Sequence, residues 1–118
     1  MRKILLLVTL FFMISIPVFA ANWKYLSTDI RGNIYCVDRN SIHYYKGCAD
    51  IWIKIIRRNG TWEISLIRVT TDKRLAVLST TKYDRYGNVI YSRDYPCYTR
   101  RIVPDSMGED LYIAIYYS

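Results

Sequence analysis

Reactive side chains are few in this sequence. One histidine, His43, and three cysteines, Cys36, Cys48 and Cys97, are the only imidazole and thiols among 118 residues. Nucleophilic catalysis needs a nucleophile, a base and a group that orients the base. His43 stands in the run Ile42-His43-Tyr44-Tyr45, where an ordinary strand position is the expected role. There is no Gly-x-Ser-x-Gly, no phosphate-cradling glycine loop and no evident carboxylate pair for glycoside hydrolysis. The sequence therefore assigns no catalytic residue and points away from an enzyme. It implies no cofactor. Without a Cys-x-x-Cys, and with a single histidine, it implies no metal site either. In an oxidising compartment two of the three cysteines can pair in three ways. The remaining thiol is then buried or bridges two chains, which leaves a homodimer open.

Cationic and aromatic chemistry is the richer signal. Arg57-Arg58 adjoins Asn59-Gly60, Lys73-Arg74 opens a strand-like run, and Arg100-Arg101 precedes the C-terminal segment. Arg31, Arg39, Arg85 and Arg93 add charge near turns, and Tyr83, Tyr86, Tyr91, Tyr95 and Tyr98 are interleaved with them. Arginine and tyrosine are enriched at the anchoring points of protein interfaces. Arg57, Arg58, Lys73, Arg74, Arg100 and Arg101 are thus the expected contact residues for an acidic protein or polyanionic glycan. The competing role is plain solvation of strand ends, with charge guarding sheet edges against aggregation. The chain carries 17 basic against 10 acidic residues, a formal charge of +7. That excess favours anionic partners. Nucleic acid is disfavoured by the N-terminus.

The N-terminus reads as an export signal. Met1-Arg2-Lys3 is basic, and Ile4 to Ile16 is apolar but for Thr9 and Ser15. Pro17 and Val18-Phe19-Ala20 then supply a cleavage context. Cleavage after Ala20 makes residues 1–20 a signal peptide and residues 21–118 a single domain of 98 residues with net charge +5. An uncleaved anchor is the alternative. No second apolar run of membrane length follows, and no cysteine stands at the cleavage site to take a lipid. The expected location is the periplasm, the cell surface or the medium.

These residues need a scaffold, and strand signals dominate it. Trp23–Leu26, Ile34–Val37, Ile42–Tyr45, Ile51–Ile56, Trp62–Val69, Leu75–Tyr83 and Val89–Tyr95 are β-branched or aromatic runs. Ile51-Trp52-Ile53-Lys54-Ile55-Ile56 is apolar on nearly both faces and belongs in the middle of a sheet. In Trp62–Val69, Glu63 and Ser65 fall on one face and Trp62, Ile64 and Leu66 on the other. Trp23, Trp52 and Trp62 are read as core. Asp38 and Ser41 are read as closing a turn, and Pro96 as ending a strand.

Asp29-Ile30-Arg31-Gly32-Asn33-Ile34 and Asp84-Arg85-Tyr86-Gly87-Asn88-Val89 share one pattern. An aspartate caps backbone amides, a left-handed glycine ends the turn, and the chain returns as a strand. One carboxylate per loop is too few for calcium. At the C-terminus, Ser106-x-x-Glu109 is a capping box. Met107, Leu111, Ala114 and Ile115 share one helical face, predicting a helix of about 11 residues that docks on one face of the sheet. The fold class is α+β: a curled antiparallel sheet of about five or six strands with one C-terminal helix packed on it.

Five segments, in order, resemble the surface-adhesin protein E-like domain of bacterial secreted proteins. They are Trp23-Lys24-Tyr25, Tyr35-x-Val37-Asp38-x-x-Ser41-Ile42, Ile51-Trp52-Ile53-Lys54, Tyr83-Asp84-x-x-Gly87-Asn88-Val89 and Ile102-x-Pro104-Asp105-Ser106-x-Gly108-Glu109-x-Leu111-Tyr112. The resemblance implies a curled sheet holding a C-terminal helix, on an exported protein that adheres to host matrix and does not catalyse. A periplasmic accessory or inhibitor module that binds an envelope protein is the alternative. The chain departs from this pattern in one respect. The family's cysteine bridge from a strand start to the helix end has no counterpart in Val69–Arg74 or Ile113–Tyr117. Helix docking then falls to Met107, Leu111, Ile115 and the tyrosines.

Overall fold

The computed structural model describes residues 22–117; the expected signal peptide, residues 1–20, lies outside them. Among the described residues, seven strands and one helix make an α+β fold: β1 (Lys24–Thr28), β2 (Ile34–Tyr45), β3 (Cys48–Ile56), β4 (Trp62–Thr70), β5 (Arg74–Tyr83), β6 (Val89–Asp94), β7 (Arg100–Arg101) and α1 (Met107–Tyr116). The first six strands are antiparallel neighbours in chain order, and the short β7 pairs with the start of β5. The sheet is curled and open. β3, the most apolar strand, has partners on both edges.

The twin turns form as their residues dictate. Asp29 Oδ1 accepts from the Arg31 and Asn33 amides, both at 2.9 Å, and Oδ2 accepts from Asn33 Nδ2 at 2.9 Å. Asp84 does the same with Tyr86 and Asn88 at 2.9, 2.9 and 3.0 Å. Gly32 and Gly87 take φ of +85° and +89°, the left-handed region where a Cβ is strained.

Val37, Ala49, Ile51, Ile53, Ile67 and Val69 meet Leu111, Tyr112 and Ile115 of α1 in one buried cluster. The helix begins where the capping box places it. Ser106 Oγ accepts from the Glu109 amide at 3.4 Å and donates to the Val103 carbonyl at 2.6 Å. Three tyrosine hydroxyls lock the docking. Tyr44 donates to the Ile115 carbonyl at 2.7 Å, Tyr112 to Thr71 at 3.2 Å and Tyr116 to Val69 at 2.7 Å.

Several expectations need correction. Trp52 lies on the face away from α1 and is 39% exposed, so it is not core. Trp23 and Trp62 are half-buried. Trp62 stacks on Tyr83 at 5.4 Å, with Lys54 Nζ 5.3 Å above its ring. On β4 the helix-facing residues are Glu63, Ser65, Ile67 and Val69, cross-strand from Ile55, Ile53, Ile51 and Ala49. The alternation was legible, but the core took the face carrying Glu63 and Ser65. Ile34–Val37 and Ile42–Tyr45 are one strand with a bulge, not two strands about a turn. Within the bulge, Ser41 Oγ accepts from the Trp52 amide at 3.0 Å and so stands in for a ladder partner. Cys36, Cys48 and Cys97 are all free thiols in this structure, with Cys97 exposed and the other two half-buried.

Candidate functional site: an arginine- and tyrosine-lined groove

The helix leaves much of its face of the sheet uncovered. α1 has ten residues, roughly 15 Å of helix. β3, β4 and β5 have nine, nine and ten residues, roughly 30 Å of strand. The helix packs toward β1 and β2. Toward the β3–β4 hairpin, the uncovered part of this face becomes polar. Glu63 and Ser65 on β4 stand opposite Lys82 and Thr80 on β5. Ser65 and Thr80 are buried, and their hydroxyls bond at 2.9 Å.

The segment from β6 to β7 walls this polar floor. Tyr91 pairs across from Lys82. The Tyr95 amide donates to the Leu78 carbonyl at 2.8 Å, which holds the chain against β5 beyond the last residue of β6. Pro96 ends the strand as expected, and the Tyr98 amide turns back to the Pro96 carbonyl at 2.9 Å. Arg74 then fastens Thr99: Nε donates to Oγ1 and Nη2 to the carbonyl, each at 3.0 Å. β7 follows, with Arg100 opposite Leu75 and Arg101 opposite Arg74.

A groove of about 620 Å³ results. Glu63 and Thr80 are in its floor, Tyr91, Tyr95, Pro96 and Tyr98 form its wall, and Arg57 and Arg100 reach it from opposite ends of the sheet. A second groove of about 360 Å³ shares Arg57 and Glu63 and continues past Lys82 to Arg58, Asn59 and Thr61. At the junction Arg57 Nη2 donates to both Glu63 oxygens at 3.1 and 3.2 Å. The side chains of this pair are 35% and 13% exposed.

The six basic residues expected from sequence do not form one patch. Arg57 and Arg58 sit at the β3–β4 hairpin; Lys73, Arg74, Arg100 and Arg101 gather at the other end of β5. Arg74 is spent on Thr99, and Lys73 Nζ lies 5.5 Å over the Tyr112 ring. Both side chains thus have a partner within the fold. The grooves reunite Arg57, Arg58 and Arg100, while Arg101 remains exposed on β7. Sequence reasoning missed Glu63 and Lys82. The placement of Glu63 and Ser65 on one face of β4 was the signal for the first.

The tyrosines divide by what their hydroxyls do. Tyr35, Tyr44, Tyr112 and Tyr116 spend theirs inside the fold. Those of Tyr91, Tyr95 and Tyr98 have no hydrogen-bond partner among the described residues. Arg93 lies 5.5 Å over the Tyr91 ring. The groove therefore offers free phenol donors, flat aromatic faces, an unpaired Arg100 and a carboxylate already satisfied by Arg57. This set can bind a ligand that is anionic and also rich in hydroxyls.

Among the described residues, no three His, Cys, Asp or Glu side chains converge as a metal cage would require, and no helix is long and apolar enough to cross a membrane. No family model, no curated protein and no solved structure matches the chain.

Proposed function

We propose that this protein is an exported, non-enzymatic binding domain of adhesin type that holds an acidic partner, protein or glycan, in the arginine- and tyrosine-lined groove. The observation that carries the reading is the convergence of Arg57 and Arg100 on one groove with three tyrosines whose hydroxyls the fold does not use. Other tyrosines and arginines are consumed in docking α1 and fastening Thr99. Arg57 is paired with Glu63, but Arg100 and the hydroxyls of Tyr91, Tyr95 and Tyr98 have no such role, and side chains left free at a concave site are available to a ligand. The protein E-like motifs support the same direction.

The test is retention on immobilised heparin and on an acidic matrix protein at rising salt. The paired changes Arg58→Glu and Arg100→Glu should move elution to lower salt, because exposed charge interactions are screened and these two are unpaired. Lys46→Glu, in the β2–β3 turn at the far end from Arg58, should leave elution unchanged. Equal retention of all three proteins would refute the reading. Fractionation of cells producing the protein tests the exported location: recovery at the surface or in the medium fits adhesion, and confinement to the periplasm favours an accessory module.

A further inference from the structure

We infer that the two adjoining grooves form one track for a linear anionic glycan, a chain of sugar rings bearing carboxylate or sulfate groups. This rests on the binding reading above and names its ligand class.

Shape comes first. A space of about 620 Å³ suits a ligand of a few rings, since small-molecule sites span roughly 300–1,000 Å³. Arg57 and Glu63 also line the second space of about 360 Å³, so the two adjoin and the path from Arg100 to Arg58 is elongated. A chain fills such a path better than a compact molecule.

Charge narrows the class. Along the track stand Arg100, then the Arg57–Glu63 pair, then Lys82 and Arg58. Arg100, Lys82 and Arg58 have no ion pair among the described residues. The track therefore alternates free cations with a neutral site that both donates and accepts. Carboxylate side chains of a peptide only accept, so they offer Glu63 no donor. Ring hydroxyls of a sugar donate to Glu63 and accept from Arg57, while its acidic groups meet the cations on either side.

Backbone access decides between glycan and peptide. Extended peptides dock on sheets by adding a strand to an unpaired edge. The floor here is β4 and β5, and each has strands on both sides. No main-chain ladder is open to a peptide on that floor; the open edges beside it are the outer sides of β6 and β7. Tyr95 and Tyr98 are 39% and 77% exposed, and such rings are flat platforms for the C–H faces of sugars.

The experiment is calorimetric titration of the protein, produced from its full reading frame, with size-fractionated heparin and hyaluronan fragments, neutral dextran and poly-glutamate. Charged glycans should bind, more tightly as the fragment lengthens, until the track is filled. Tyr95→Ala and Tyr98→Ala should each weaken binding roughly 3- to 10-fold, the range expected for one lost aromatic contact. Arg100→Ala should weaken it and reduce its salt dependence. Tyr98→Phe, which keeps the ring and loses only the free hydroxyl, should weaken binding less than Tyr98→Ala does. Unchanged melting temperatures separate these effects from misfolding. Poly-glutamate binding through Arg100 without glycan binding would overturn the glycan inference and leave the acidic-partner reading standing. Binding of neither polyanion would overturn both. Dextran binding as tight as hyaluronan would remove the role given to charge.

Discussion

Tyr116 donates its hydroxyl to the Val69 carbonyl oxygen at 2.7 Å, which ties the last turn of α1 to β4. Tyr44 makes a reciprocal tie from the sheet to the Ile115 carbonyl, also at 2.7 Å. Together they hold the last turn of the helix to the sheet from both sides. Each is an ordinary hydrogen bond, so Tyr116→Phe should cost about 1 kcal/mol. In a domain of this size that lowers Tm by roughly 4–8 °C. Tyr44→Phe should cost a similar amount. Thermal melts followed by circular dichroism check both; a Tyr116→Phe protein as stable as the parent would show that the helix docks on apolar contacts alone.

The same tyrosine makes stability depend on alkaline pH. Burial, aided by neighbouring Cys48 and Tyr112, pushes the Tyr116 hydroxyl up to about 12 from an ordinary value of 10.0. The folded state thus keeps a proton that the unfolded state releases. The stabilisation is complete below pH 10 and is lost as pH rises from there toward 12. Parent protein should unfold progressively in that window. Tyr116→Phe, weaker at neutral pH, should lose less across it. Denaturant midpoints measured from pH 8 to 12 test this, and parallel curves for the two proteins would be the contrary result.

Much of this architecture was legible because short-range chemistry fixes it. Asp29 and Asp84 predicted their own turns, Ser106 and Glu109 marked the start of the helix, and the two-sided apolar run of β3 marked the middle of the sheet. What stayed hidden depends on partners far along the chain. Alternation shows that Trp62 and Glu63 face opposite ways but not which way the helix lies. Ser65 can sit in the core only because Thr80, fifteen residues later, supplies a hydroxyl at 2.9 Å. Trp52 can sit outside because Ser41 satisfies its amide across a bulge. The groove itself exists because Leu78 and Arg74 hold the Tyr95–Thr99 segment against β5, and no local pattern announces that.

Asp50 and Arg68 form the best-made ion pair of the sheet. Nε and Nη2 of Arg68 reach the two Asp50 oxygens at 2.8 and 3.0 Å, with Asp50 nearly buried and Arg68 a third exposed. The carboxylate bonds hold the guanidinium above its usual range, and Tyr45 lies 5.4 Å from it. Arg68→Met strands the carboxylate and should cost about 2 kcal/mol, a value below that of a fully buried pair because of the exposure. Adding Asp50→Asn should recover part of the loss. A double-mutant cycle in denaturant checks the coupling, and strict additivity would count against it.

Acid should act on the twin turns in the same sense. The Asn33 side chain holds the Asp29 carboxyl below its usual range, and the Asn88 amide does the same for Asp84. A depressed carboxyl stabilises the fold above its unfolded value of 3.8 and stops doing so as pH falls through the folded value. Asp29→Asn and Asp84→Asn should therefore melt below the parent at pH 7, with the deficit shrinking toward pH 3. Constant deficits at every pH would mean that charge contributes nothing to either turn.

The buried hydroxyl pair under the groove yields the sharpest stability contrast. Ser65 and Thr80 are 3% and 7% exposed and bond each other at 2.9 Å. Ser65→Ala leaves the Thr80 hydroxyl desolvated without that partner, which should cost about 1–3 kcal/mol. Ser65→Ala with Thr80→Val removes both polar groups while keeping the shape of the threonine, and should restore most of that loss. If the double variant is instead less stable than the single, the hydroxyls are engaging water from the groove as well as each other.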